Sequence, residues 1–439
     1  MDWHQLLSSQ RSRQASSSAE QSRSAFEQDY DRIIFSHPFR RLQDKTQVHP
    51  LPEHDFVHTR LTHSLEVSSV GRSLGKKIGE VILQRKPELK STHSEFDFGA
   101  IVAAGALAHD LGNPPFGHSG EEAISDFFKH QELGKSFENQ VTPDQWNDLI
   151  QFEGNAQGFR LLTRNQYGLK LTYATLGAFT KYPCTSYFHK RDKKKRSQKK
   201  FGFFESELIH FHEIANSLGL VAVDELCWSR HPLSFLVEAA DDICYSIIDL
   251  EDGCRLGLIS FDETVALLSG ILGDKLNHTK LRRITGLNEQ LGVLRAITIS
   301  VITEDCTHVF LDNENLILNG QFDTALTEAG KFSKELETIG DISINKIYQS
   351  RAVTEIEAAG FEALPGLLED FIMASLNLKF KDRPRKYSTI ARLMPIEISI
   401  PIESSPDPYT MLRLVIDLVS GLTDKHALSL FRQIKGISS

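Results

Sequence analysis

The sequence predicts an all-α protein, mostly helical, with one or two small β-hairpins at most. Three observations carry this. Ala100 to Ala108 is an apolar, small-residue run that reads as a buried helix, Leu236 to Asp252 is rich in Ala, Leu, Ile and Glu, and residues 260 to 380 alternate helical runs with short polar joints. At 439 residues the chain can bury a substantial core. Hydrophobic residues at 40% and charged ones at 24% exclude wholesale disorder. The net charge of −9 argues against a generic nucleic-acid coat, and no window offers the ~20 continuous apolar residues of a membrane span. Cys184, Cys227, Cys244, Cys254 and Cys306 form no C-x-x-C pair, which excludes a zinc ribbon or redox motif and predicts a reducing, cytoplasmic setting.

In chain order, residues 8 to 24 are rich in Ser, Gln and Arg, and 1–24 is expected to be a mobile N-terminal arm. Two short helices follow, over Asp29–Ile34 and Phe39–Leu42, interrupted by His37-Pro38. Gln47 to Pro52 is extended or turn, because its prolines bias their neighbours away from helix. Thr59 then opens an amphipathic helix to about Gln84, on which Arg60 and His63, three apart, share a face. The Ala100–Ala108 helix is broken by Gly112-Asn113-Pro114-Pro115, so the pair His109-Asp110 sits at a helix end. His118 opens the next helix and points back at the same place, with helix continuing from Ala123 to Leu133 and another starting in Phe152–Arg160. Leu169 to Tyr173 is β-like or helical. Residues 190 to 200 hold eight basic residues in eleven, expected to be a solvated, mobile loop, with phosphate contact as the alternative.

In the helix from Leu236, Gly253 stands where a C-terminal cap belongs. At ~100° per residue, Asp241, Tyr245 and Asp249 fall within about 80° along one stripe, on a face that also carries Glu238. The rest of this helix is apolar enough to imply burial, and buried carboxylates need a cation or donors. Further on, Pro365 and Asn319-Gly320 are expected to separate elements; Lys379 to Arg392 is basic, a Pro-rich stretch follows, and Tyr409 to Val419 is the last clear helix.

A lone His-Asp dipeptide is common and usually means a hydrogen-bonded pair. Together, His63, His109, Asp110 and Asp241 are two imidazoles and two carboxylates with room left in an octahedral shell. That set suits Mn²⁺, Mg²⁺, Fe²⁺, Ni²⁺ or Co²⁺ better than a closed structural zinc site. Asp242 could replace Asp241, although only Asp241 keeps the four-residue spacing to Tyr245 and Asp249.

Six ordered segments carry a resemblance: Phe39 to Val48, Thr59 to Ser64, His109 to His118, Phe152 to Gln157, Thr180 to Pro183 and Glu238 to Tyr245, with Asp417 to Asp424 near the end. They resemble the HD-domain phosphohydrolases and, more narrowly, the deoxyguanosine triphosphate triphosphohydrolase (dGTPase) family. The resemblance implies the helical HD-domain phosphohydrolase fold, with residues 25–260 as catalytic core and 261–439 as a helical region that packs on it and completes the nucleotide pocket and oligomer contacts. The implied activity cleaves a dNTP at its 5′ oxygen, giving a deoxynucleoside and triphosphate.

On matching positions, the resemblance makes His63, His109, Asp110 and Asp241 ligands of a divalent metal ion. His118 with Glu121 becomes an acid/base pair, and Arg60 a contact to the α-phosphate. It also gives Gln47 and Asp249 the sugar 3′ hydroxyl, Tyr245 the face of the deoxyribose, and Lys181, Tyr182 and Lys200 the outer phosphates. It further implies a homo-oligomer such as a hexamer and an activating nucleotide at subunit interfaces; the basic run adds a single-stranded DNA partner, and the lack of a long apolar window predicts no membrane association. Two alternatives stay open: another HD phosphohydrolase acting on a cyclic nucleotide or nucleoside monophosphate, and a single-stranded nucleic-acid-binding regulator with a relict site, for which the basic run is the support.

Overall fold

Local chemistry starts and stops most of the helices. In the computed structural model, residues 1–12, 23–47, 58–164, 167–381 and 384–437 are described. Helix α1 is Trp3–Leu6; α2, Ala25–Ile34, opens on a reciprocal capping box between Ser24 and Glu27; α3, His37–Arg41, has Pro38 in its first turn, where a missing N–H costs nothing. Helix α4, Arg60–Arg85, begins on a Thr59–Thr62 box, and α5 is Glu95–Ala108. Then come α6 (Gly117–His130), α7 (Glu132–Lys135), α8 (Pro143–Ile150), α9 (Gly154–Thr163), α10 (Tyr173–Phe179) and α11 (Leu208–Leu218). A small antiparallel hairpin, β1 (Ala222–Asp224) with β2 (Cys227–Trp228), is the only sheet among the described residues.

Helix α12, Ser234–Arg255, is followed by α13 (Phe261–Leu272), α14 (His278–Arg282), α15 (Leu287–Asp312), α16 (Glu314–Leu318), α17 (Leu326–Ala329) and α18 (Ser333–Ser343). The chain closes with α19 (Arg351–Phe380), α20 (Arg385–Ala391), α21 (Ile396–Glu403), α22 (Pro408–Ser420) and α23 (Asp424–Lys435). The fold is therefore all-α with one hairpin.

Buried side chains form two cores. The first is built from α1, α4, α5, α10 to α13, α15 and α18; the second from α6, α8 and α19 to α23. The chain passes from one to the other between Leu111 and Phe116, so the turn after His109-Asp110 lies at the seam. The seam does not follow residue 260, since α13, α15 and α18 all join the first core.

Several expectations change. Residues 1–12 are not a loose arm: Trp3, Leu6 and Leu7 are buried, Trp3 Nε1 donates to Glu314, and Arg11 pairs with the buried Asp29. Residues 13–22 lie outside the described residues, as do 48–52 of the Gln47–Pro52 segment and residues 382 and 383 of the basic Lys379–Arg392 segment. Gly253 lies inside α12 rather than capping it; a Cβ there would stand 2.6 Å from Ile347 Cδ1, so the glycine serves close packing. Pro365 sits inside α19, where burial of Leu364, Leu367, Leu368 and Phe371 in the second core outweighs one lost backbone hydrogen bond. A further helix, α23, follows the one expected to be last, capped by Thr423.

The 190–200 run is only partly a solvated loop. Lys190 is exposed, but Ser197 donates through N and Oγ to Asp323 at 3.0 and 2.7 Å, Arg196 reaches the buried Glu238, and Ser197 and Gln198 are buried. Leu169 to Leu171 is irregular, with Lys170 left-handed at φ 43°, and Thr172 is bridged to Arg11 and caps α10.

Asp29 is fully buried and ties three segments, accepting from Thr172 N at 2.9 Å, Thr172 Oγ1 at 2.6 Å and Arg11 at 2.5 Å. Breaking such a buried pair strands a charge, so Asp29→Ala is expected to cost about 3 kcal/mol in urea unfolding, and a loss under about 1 kcal/mol contradicts the assigned role.

Candidate active site

Three helices deliver the donor set. His63 projects from the first turn of α4, His109 caps α5 with Asp110 following it, and Asp241 lies in the second turn of α12. One ligand atom each of His63, His109 and Asp110 lies within 4.8 Å of the others. Asp241 Oδ1 stands 3.3 Å from His63 Nε2 and 3.4 Å from His109 Nε2, and Asp110 Oδ1 is 3.5 Å from His109 Nε2. Two donors about 2.1 Å from one ion at right angles are ~3 Å apart, so these spacings fit a shared cation. Asp242 turns elsewhere, accepting from Thr327 Oγ1 at 2.8 Å, which leaves Asp241 as the member of the set.

The surrounding groups prepare the donors for a cation. His109 Nδ1–H donates to the Ala106 carbonyl at 2.7 Å, which leaves the Nε2 lone pair facing the carboxylates. Asp110 is held on both oxygens, by Asn113 Nδ2 at 2.6 Å and by Arg60 at 2.8 Å. Burial opposes its charge, but His109 and Arg60 outweigh that and bring its pKa down to about 2. Burial likewise opposes a charged His109, and Asp110 with Asp241 holds it up to about 9; without a metal the set takes up a proton instead. Lys181 Nζ lies 3.2 Å from Asp241 and 4.0 Å from Glu238, and Glu238 is clamped by Arg230 at 2.6 Å and Arg196 at 2.8 Å. Local backbone packing is as tight: a Cβ on Gly112 would fall 2.0 Å from the Gly154 carbonyl, so only glycine lets the turn approach α9.

Beside the set lies a cavity of about 460 Å³, within the size range of small-molecule sites. Of the residues expected from sequence, Gln47, Arg60, His109, Asp110, His118, Lys181, Tyr182, Lys200, Asp241 and Tyr245 line it. Three stand behind the wall. His63 is buried against Asp241, and Glu121 backs His118, with Oε2 2.7 Å from His118 Nδ1 and Oε1 accepting from Gly154 N at 2.7 Å. Asp249 is covered by Tyr348, whose hydroxyl donates to it at 2.6 Å; burial pushes the Asp249 carboxyl up to about 8 although that hydrogen bond favours the charged form. Lys200, 3.3 Å from Glu153 and 3.7 Å from Glu121, stands between this cavity and an adjoining one that also reaches His118.

Sequence reasoning missed Tyr348, whose ring packs beside that of Tyr245 with centroids 5.6 Å apart, and the α19 residues Val353, Ile356 and Glu357. No local pattern marks them, since Tyr348 is 99 residues from Asp249. Asn113 carried a signal that was read only as a turn.

Under the ligand set, His58 pins α4 to α12. Its Nδ1 is 2.8 Å from Asp252 and its Nε2 3.4 Å from Glu66. Burial opposes the imidazolium, but Asp252 and Glu66 outweigh it and hold the pKa up to about 10, from 6.5. A folded value raised in this way stabilises fully below pH about 6.5, and the benefit is lost as pH rises through about 10. Wild type is therefore expected to lose stability between pH 7 and 10 relative to His58→Gln in parallel denaturant titrations, and parallel profiles would contradict the pairing.

Comparisons with known proteins agree with this geometry. The family described as HD domain matches residues 60–143, which include His63, His109 and Asp110. The chain is 41% identical over 450 residues to a deoxyguanosinetriphosphate triphosphohydrolase-like protein of Synechocystis sp., and 40% identical over 459 residues to one of Pseudomonas aeruginosa, each match covering all of both chains. It is 31% identical over 481 residues, 94% of each chain, to the deoxyguanosinetriphosphate triphosphohydrolase of Salmonella arizonae. With an all-α fold, an HD motif at the seam of two cores and full-length relatives of this kind, the chain belongs to the deoxyguanosinetriphosphate triphosphohydrolase family of HD-domain proteins.

Proposed function

We propose that this protein is a metal-dependent deoxynucleoside triphosphate triphosphohydrolase, converting a dNTP and water into a deoxynucleoside and triphosphate. The observation that carries it is one cavity lined by His109, Asp110 and Asp241, with His63 behind them completing the donor set, by His118 backed by Glu121, by the cations Arg60, Lys181 and Lys200, and by the rings of Tyr245 and Tyr348. The relatives' names support the same substrate class.

In this reading His63, His109, Asp110 and Asp241 hold a divalent ion, drawn from Mn, Mg, Fe, Ni or Co by its mixed nitrogen and oxygen donors. When bound, it supplies Lewis acidity to the α-phosphoryl group and to water. Arg60, already ion-paired to Asp110, offers its remaining N–H groups to an α-phosphate oxygen. A water oxygen forms the new bond to the α-phosphorus, the bond to the 5′ oxygen breaks, and that oxygen leaves with a proton. His118 moves the proton, and Glu121 orients its ring through Nδ1. Lys181, Tyr182 and Lys200 take the outer phosphates, with Lys200 exchanging Glu121 and Glu153 for them.

Gln47 and Asp249 take the 3′ hydroxyl, which requires Tyr348 to share or yield its hydrogen bond to Asp249. Tyr245 lies against the sugar and leaves no room for a 2′ hydroxyl. Residues 25–260 supply most of the catalytic groups in this reading, and 261–439 close the pocket through Tyr348 and α19. It extends to a homo-oligomer and an activating nucleotide, for which the family resemblance is the support, and to a single-stranded DNA partner, for which the basic 190–200 run is the support.

Incubated with divalent metal and each dNTP, the protein is expected to release tripolyphosphate, and release of only orthophosphate or pyrophosphate would sink the reading. Asp110→Ala should lose both bound metal and turnover. His118→Ala is expected to keep the metal while kcat falls about 10²- to 10⁴-fold, and a variant within threefold of wild type would remove His118 from the proton path.

A further inference from the structure

Two buried charged side chains outside the ligand set, Lys45 and Asp424, cross between three segments that meet beside the cavity. Lys45 is 3% exposed, and its Nζ donates to the Asn113 carbonyl at 2.5 Å and the Ser420 carbonyl at 3.0 Å. Asp424, the first residue of α23 and 2% exposed, accepts from Thr46 N–H through Oδ2 at 2.9 Å and from Phe116 N–H through Oδ1 at 3.1 Å. The two reach in opposite directions. Lys45 runs from the first segment to the turn and to the end of α22, and Asp424 runs from α23 back to both.

Each anchored amide is next to cavity-lining residues. Thr46 precedes Gln47 and is bridged to Thr59 at the start of α4. Phe116 precedes Gly117 and His118, and both Phe116 and Gly117 are left-handed, at φ 67° and 57°. That conformation costs a non-glycine residue roughly 1–2 kcal/mol, so the turn needs an outside hold. A carboxylate suits this place because Thr46 N–H and Phe116 N–H each take a different oxygen of Asp424, whereas an amide of the same shape would turn an NH2 donor toward one of them.

We propose that Lys45 and Asp424 form a clasp that sets the position of His118 relative to Gln47 and Arg60, making Asp424, on the helix farthest along the chain, a positioning residue of the active site. Loosening it lets the left-handed turn relax and carries His118 off its line to the leaving oxygen. A displacement near 1 Å is enough to cost about 100-fold in rate. The kinetic side of this inference rests on the triphosphohydrolase reading; the structural side does not.

The test compares full-length wild type, Asp424→Asn, Asp424→Ala and Lys435→Ala, the last removing a different anchor of the same helix, 3.0 Å from Asp370. Measured are kcat and KM with each dNTP, bound metal per chain, and hydrogen exchange of peptides spanning 44–47 and 112–118. The expected result is a kcat lower by about tenfold or more in Asp424→Asn and lower again in Asp424→Ala, with KM less affected, metal content unchanged and exchange faster in both peptides; Lys435→Ala behaves as wild type. A wild-type kcat in Asp424→Asn, an equal loss in Lys435→Ala, or a loss that tracks lost metal overturns the clasp. If Asp424→Ala fails to fold, Asp424→Asn decides. If wild type releases no triphosphate, the functional reading fails and exchange alone decides: faster exchange at both segments in Asp424→Asn upholds the clasp, and unchanged exchange overturns it.

Discussion

The site depends on keeping two carboxylates, Asp110 and Asp241, beside the same pair of imidazoles in a buried place. Such charges are costly unless each is matched, and the matching groups explain much of the surrounding structure. Arg60 and Asn113 hold Asp110, Lys181 holds Asp241, and Arg230 with Arg196 holds Glu238 so that Lys181 is not drawn away. The electropositive arc made in this way around an acidic centre is also what a polyphosphate requires, so one set of charges stabilises the empty fold and prepares it for an anionic ligand.

That arrangement is assembled at a seam. His109 and Asp110 belong to the end of a helix in the first core, His118 to the start of one in the second, and the intervening turn has room only for Gly112 against α9. A turn between two separately packed cores is fixed by each of them, but its left-handed residues still need a local partner, which Asp424 supplies. The C-terminal helices thus bear on the HD motif although no residue of theirs belongs to it.

Much of this was legible along the chain. The start of α4 at Arg60, the break after α5 and the stripe of Asp241, Tyr245 and Asp249 follow from capping, proline and helical period, all local properties. Where local signals misled, packing had overruled them. Gly253 looked like a cap but makes room for Ile347, and Pro365 looked like a boundary but lies within a helix clasped by the second core. The run of lysines and arginines near 190–200 looked solvated as a block, yet Arg196 meets a fully buried Glu238 that nothing near it in sequence announces.

The sequence by itself determined the helical class, the start of α4, the break after α5 and the chemical kind of every donor, because capping residues, apolar period and ligand type are properties of short stretches. Tertiary structure alone decided that Tyr348 covers Asp249, that His63 and Glu121 stand behind the cavity wall, and that Asp424 holds Thr46 and Phe116. The contacts of Tyr348 and Asp424 join residues 99 to 378 positions apart, whose meeting is fixed by how the two cores pack and by no pattern written near either partner.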